Sequence, residues 1–262
     1  MNNDNIRQSM HNQIKYLARQ TLDINNRVTE KRADIESGDT NLFFRNMFGD
    51  NYVLITKVMQ SLQTTFGMAF YEQACAILGQ HVGYEVRNQF ILTGNISIPV
   101  SSYIERLLNN YNYIPNRTHE LAELDQLSQL LPDPQRYPDS IVDVFIKKPN
   151  GDEIYIDITT VKPNKKEFRA MKRKSLEWYA LRKSTANNVN VKPYIAIPYN
   201  PESLTTNNYT RHAGQYDRQD LLVGDELWKL ASNGIFGLSD MNRIFQELGE
   251  ETRMVINSAL QR

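Results

Sequence analysis

The stretch SIVDVFIKKPNGDEIYIDITTVKPNKKEF, Ser140 to Phe168, constrains the fold more than any other part of the chain. SIVDVFIKK is rich in β-branched and aromatic residues, as a largely buried strand is. Pro149-Asn150-Gly151-Asp152 reads as a turn, in which Asn-Gly supplies the positive φ of a tight hairpin. EIYIDITTV is the second strand, ended by Pro163. Asn164 and Glu167 make a capping box with Asn in the usual Ser/Thr place, and open a helix expected to reach about Lys183. VKPYIAIPYNP is a third strand. A hairpin, a helix and a further strand, with helical sequence on both sides, specify an α/β core with helical flanks.

The flanks read as follows. An apolar stripe of Ile14, Leu17, Leu22 and Ile24 gives a helix from about 4 to 28, and Asn41–Phe48 and Tyr52–Thr64 give two more. Gly67 precedes a short helix with apolar positions Phe70, Ala74, Ile77 and Leu78, which Gly79 or Gly83 ends. YEVRNQFILTGNISIPV is one or two strands with a turn at Thr93-Gly94-Asn95. Tyr103–Tyr111 and Arg117–Leu131 are helical, Pro132, Pro134 and Pro138 mark a loop, and the last forty residues are again helical. No linker interrupts the series, so one domain is expected over 1–262: a helical region 1–65, a core 66–200, and a loop with C-terminal helices 201–262.

Thirty basic and thirty acidic side chains cancel, so only local charge speaks about partners. The lone cysteine, Cys75, rules out a disulfide framework and fits a reducing cytoplasm. The N-terminal residues lack the apolar core of a secretory signal, and no apolar run approaches the roughly 18 residues of a membrane span.

Asp139 and Asp157 stand on the two arms of the hairpin. Asp157 shares a face of its strand with Thr159, while Ile156 and Ile158 point into a core. Converging carboxylates at a strand end suit Mg²⁺, which takes one or two carboxylates and keeps water and phosphate for its other positions. The alternatives are plain: Asp139 caps a turn, and Asp157 pairs with a nearby lysine. An acid between two core isoleucines is a poor strand former and calls for a reason. The same holds for Asp143, between Val142 and Val144, a rival for the first carboxylate; the proline before Asp139 puts that residue ahead. Lys162, beside Pro163, is the candidate for a water-orienting charge if the strand end leaves strict alternation. The following helix carries Lys165, Lys166, Arg169, Lys172, Arg173, Lys174, Arg182 and Lys183 against Glu167 and Glu177. Such a run is usually a solvated face; directly after a carboxylate strand it favours a polyanion. No phosphate-binding glycine loop, Ser-His-Asp arrangement or organic cofactor site is evident.

On these residues the chain resembles a type II restriction endonuclease of the PD-(D/E)xK superfamily. Asp139 matches the first acid of the motif and Asp157 the second; Thr159 departs from the lysine. Glu72, in GMAFYEQACAILG, resembles the glutamate of the leading helix, which can join the metal site; otherwise it is an exposed helix acid. TTVKPNK, YIAIPYNP and LLVGDELWKL are similar to the TdeIII-like group. The resemblance implies a central mixed sheet flanked by helices with a helical N-terminal region. It also implies a homodimer that uses Mg²⁺ to hydrolyse double-stranded DNA at a short palindrome with one unspecified base, GANTC ahead of GGNCC. A cognate DNA methyltransferase is the functional partner, with no stable complex expected.

The polar loop Thr205–His212 is the candidate for sequence readout, where Asn207, Asn208, Arg211 and His212 are suited to base edges; Arg pairs with guanine and Asn with adenine, although a loop of Asn and Thr is by default only a loop. Phosphate contacts are expected from Lys165, Lys166, Arg169, Lys172 and Arg173. His212 has no second His or Cys at ligand spacing. Two other readings stand: a DNA-binding protein on the same fold without activity, as Thr159 allows, and an RNA-binding or scaffold protein whose basic helix is its whole function.

Overall fold

A computed structural model of the chain describes residues 2–110, 112–129, 135–136, 138–159, 161–203 and 206–261. Two units are formed, one from Met1–Ala74 with Ser239–Arg262 and one from Cys75–Leu238.

In the first unit the stripe expected over 4–28 is two helices, α1 (Asn3–Leu22) and α2 (Ile24–Glu36). Asp23 separates them at φ 36°, in the left-handed region that short polar side chains tolerate, and Asn26 Nδ2 donates to its Oδ1 at 3.0 Å. α3 (Leu42–Phe48) and α4 (Asp50–Thr65) match their expected bounds closely, and a π-helical turn at Phe66–Phe70 leads into α5 (Tyr71–His81). Val28 and Ile35 of α2 pack with Val53, Leu54, Val58 and Leu62 of α4.

The second unit continues with β1 (Glu85–Leu92), β2 (Asn95–Ile96), α6 (Ile98–Asn109), α7 (Arg117–Gln129), β3 (Gln135–Arg136) and β4 (Ser140–Lys147). β5 (Glu153–Ile158), α8 (Lys165–Thr185), β6 (Val191–Ile197), β7 (Leu221–Val223) and α9 (Asp225–Ala231) complete it, and α10 (Leu238–Leu260) belongs from Ser239 on to the first unit. α6 starts ahead of the expected Tyr103, because Ser97 caps it by accepting from the Val100 N–H and Pro99 fits the first turn. Leu130 and Leu131, expected to end α7, lie outside the described residues together with Pro132, Pro134, Thr160 and Thr205.

The sheet runs β1-β4-β5-β6-β7, with β1, β4 and β5 antiparallel and β5, β6 and β7 parallel, so it is mixed. The three-residue β7 was hidden in sequence behind the polar loop before it. In the β4–β5 turn, Lys148 O accepts from the Gly151 N–H at 2.9 Å, and Gly151, at φ 88°, takes the positive-φ place while Asn150 does not. The connection is the longer, bulged kind of hairpin loop rather than a two-residue turn.

α8 runs back along β5 between the parallel strands. Two strand residues advance about 6.7 Å and four helix residues about 6 Å, so every second residue of β5 meets every fourth of α8. Three rungs result. Arg182 Nε donates to Glu153 Oε2 at 2.6 Å, the Tyr155 and Trp178 rings lie 6.4 Å apart, and Lys174 Nζ donates to Asp157 Oδ1 at 2.5 Å. Phe145, Tyr155, Leu176, Trp178, Tyr179 and Leu181 form the core beneath the helix. Gly94 lets the β1–β2 connection approach: a Cβ there would stand 2.7 Å from Leu181 O.

A second anchor is ionic. Lys172, 2% exposed, donates to Glu120 Oε2 and, at 2.6 Å, to Asp220 Oδ2. Arg117 Nη1 reaches Asp220 Oδ1 at 3.0 Å, and the Tyr113 hydroxyl donates to Glu120 Oε1 at 2.6 Å. Two cations and two anions thus close a neutral cluster that joins α7, α8 and the entry to β7. Losing one member leaves a buried charge without its partner, which costs about 3–5 kcal/mol. Lys172→Met should therefore lower unfolding free energy in urea by that order, whereas Lys166→Ala, on the exposed side of α8, should stay within about 0.5 kcal/mol. Equal, small losses for both would mean that the cluster contributes little.

Candidate active site

Asp157 lies at the end of β5, 5% exposed, on the face that Tyr155 shares beneath α8. The carboxylate that meets it is Asp143, close enough to hydrogen-bond to it. Asp143 is held in turn by the Ile158 N–H, which donates to its Oδ2 at 2.8 Å. Its position depends on a local break in the alternation of β4, with the register to β1 the same on either side. Phe145 stacks on Tyr155, and Ser140 Oγ accepts from Trp178 Nε1 at 2.8 Å, so residues of opposite parity meet the same helix-facing side. Strict alternation therefore fails between them, and Gln89 on the neighbouring strand stands at φ 51°. Local irregularities of this kind re-aim side chains near functional sites.

Lys174 completes the group. Its ammonium contacts Asp157 and sits 5.1 Å from the centre of the Trp178 ring, one helical turn on. Burial pushes the Asp157 carboxyl up to about 7; Lys174 opposes the shift and Asp143 adds to it. Two crowded carboxylates at the end of a hairpin are a site that a cation relieves. Among the described residues no three His, Cys, Asp or Glu side chains converge, so the donor set is a pair of carboxylates, which matches the protein share of a Mg²⁺ shell.

Asp139, Thr159 and Lys162 are placed differently. Asp139 is exposed, ahead of β4 and four residues from Asp143, roughly 13 Å of extended chain. Thr159 is still tied to the sheet, its N–H donating to Ala196 O at 3.0 Å. Lys162 is exposed; on either side of it, Val161 O accepts from the Tyr209 hydroxyl and Pro163 O from Arg211 Nε. Those two ties hold the segment against the loop after β6, and the ammonium brought to Asp157 is that of Lys174. Glu72 lies in the first turn of α5, partly buried, in the first unit.

The basic run of α8 is not the open cationic face expected of it. Lys172 is inside the buried cluster, Arg173 pairs with Glu105, and Arg169 donates to Asn109 Oδ1 at 2.5 Å. Arg182 is spent on Glu153, and Lys165 and Lys166 are the exposed members at its start. The expected readout loop is tied down from within. Asn200 Nδ2 donates to the Thr206 and Asn208 carbonyls, and Arg218 to the Asn207 carbonyl. Asn208 and His212 remain exposed, Asn207 and Arg211 partly so.

Sequence comparison places these features. The family model described as "Type II restriction endonuclease, HinfI" matches residues 2–249, and the chain belongs to that family. It is 23% identical over 220 residues to the type II restriction enzyme HgiCII of Herpetosiphon aurantiacus, covering 81% of this chain and 78% of that one. It is 22% identical over 192 residues to the type II restriction enzyme MjaII of Methanocaldococcus jannaschii, covering 69% and 51%. The family and these relatives indicate a nuclease of the type II restriction class. Among the described residues no helix is long and apolar enough to cross a membrane.

A carboxyl that titrates higher in the fold than in the unfolded chain binds its proton more tightly in the fold. Its stabilising share is present at low pH and is lost as pH rises from about 4 through about 7. In metal-free buffer the Tm of Asp157→Asn should therefore gain on that of the parent as pH rises across this range. Mg²⁺ at pH 8 should raise the parent Tm and leave the variant unmoved. A constant difference between the two proteins would show that Asp157 is ionised throughout.

Proposed function

We propose that the chain is a Mg²⁺-dependent, site-specific deoxyribonuclease whose working groups are Asp143, Asp157 and Lys174. The observation that carries this reading is the meeting of those three side chains at the end of the β4–β5 hairpin. Asp143 and Asp157 would hold the ion. A bound Mg²⁺ supplies charge on the scissile phosphate and lowers the pKa of water. The Ile158 N–H keeps Asp143 turned towards Asp157, and the Trp178 ring faces the Lys174 ammonium. Lys174, partly exposed beside the carboxylates, is placed to offset negative charge on the phosphate and to orient the attacking water, the task that Thr159 cannot perform.

The same reading assigns phosphate contacts to Lys165 and Lys166, and base readout to the exposed side chains of the loop ending at His212. Family membership supports a short palindromic site with a central unspecified base, GANTC ahead of GGNCC, cut by a homodimer. A cognate methyltransferase protects the site without a stable complex. The inactive DNA-binding alternative rests on Thr159; a lysine delivered from α8 removes its main support.

Single-turnover cleavage of a GANTC duplex in Mg²⁺ tests the assignment. Asp143→Asn and Asp157→Asn should abolish cutting. Lys174→Ala should slow it about 10²–10⁴-fold, the usual worth of such a group, with DNA affinity in Ca²⁺ nearly unchanged. Asp139→Asn and Lys162→Ala should cut at close to the parental rate. Loss on Lys162→Ala with normal Lys174→Ala would return the ammonium to Lys162. A parental protein that neither cuts nor nicks DNA would be the inactive binder.

A further inference from the structure

α3 is a helix that buries none of its residues although its sequence is LFFRNMF. Phe43 is 75% exposed and Met47 70%, and Leu42, Phe44, Phe48 and the nearby Tyr52 of α4 are each more than half exposed. The Phe44 and Phe48 rings lie 6.2 Å apart edge to face, so the patch is ordered by its own contacts. A seven-residue helix does not hold in water on propensity alone; it needs an apolar face covered.

We propose that this face is where two copies of the chain meet. The inference names the surface of the homodimer in the proposed reading and does not rest on the nuclease site. Three observations select a second copy. At about 200 Å² for a fully exposed side chain of this size, the six residues leave on the order of 800 Å² open. Roughly 500 Å² of it belongs to Phe43, Phe44, Met47 and Phe48, which share one side of the helix at 100° per residue; that is at the upper end of the largest patch on a typical monomer and over half of one partner's share of a standard interface. The charge is self-complementary: residues 41–52 hold one cation and one anion, Arg45 and Asp50, paired at 2.6 Å. Two such faces meet without repulsion, and a patch without net positive charge has little to offer a polyanion. Lastly, apolar aromatics around one arginine, beside paired charge, make the composition of an interface centre.

Sedimentation equilibrium of the full chain, without DNA or metal, reads the proposal directly. The parent should be a dimer at micromolar concentration. Phe43→Ser with Met47→Ser should raise the dimer dissociation constant by on the order of tenfold or more, with far-UV circular dichroism unchanged. Phe43→Leu with Met47→Leu should restore dimerisation. Ile114→Ser, which removes an 83% exposed side chain in the other unit, should leave it as it is. A serine variant as dimeric as the parent would overturn this surface while leaving the homodimer standing. A monomeric parent would overturn both. Neither result touches the carboxylate site, which cleavage kinetics test separately.

Discussion

The alignment of α8 with β5 is the constraint on which the site depends. Because two strand residues and four helix residues cover nearly the same distance, one helix laid back along one strand produces a column of matched pairs. Glu153–Arg182 fixes one end, Tyr155 and Trp178 fill the middle, and Asp157–Lys174 stands at the other. The first two rungs are structural and set the helix's position and rotation. The third inherits that precision, so the ammonium reaches the carboxylate without a loop to carry it. The buried Lys172 cluster holds the helix from its opposite side and prevents rotation about the column.

That use of charge changes how the helix is understood. A run of eight cations in a neutral protein suggests a face for a polyanion. In the fold half of that charge, on Lys172, Arg173, Lys174 and Arg182, meets Glu105, Glu120, Glu153, Asp157 and Asp220, drawn from α6, α7, β5 and the approach to β7. The helix is therefore the ionic keel of the second unit. Its exposed cations lie towards its N-terminal end, beside the loop in which the His212 ring stands 6.2 Å from Phe168.

The hairpin, the capping box at Asn164, the following helix and the strand Val191–Ile197 were legible because each has a local signal: β-branched runs, a turn, a cap. Asp157 was legible for the same reason, as an acid between core isoleucines. Asp143 is visible only as a rival, because its facing depends on a break in the alternation of β4 that no local pattern announces. Lys174 is one of eight cations in the charge run, with no local mark of its own. Its signal is non-local: Lys174, Trp178 and Arg182 at four-residue spacing answer Asp157, Tyr155 and Glu153 at two-residue spacing, which becomes readable once the two segments are laid antiparallel. Lys162 and Asp139 stand beside prolines, which mark where elements end rather than where side chains converge.

The most direct measurement is the anomalous scattering of Mn²⁺ in crystals of the chain with duplex DNA. The account predicts a peak within about 2.0–2.6 Å of carboxylate oxygens of both Asp143 and Asp157, with the Lys174 ammonium beside the scissile phosphate. A peak held by Asp139, with Asp143 turned away and Lys174 still bound elsewhere, would contradict it.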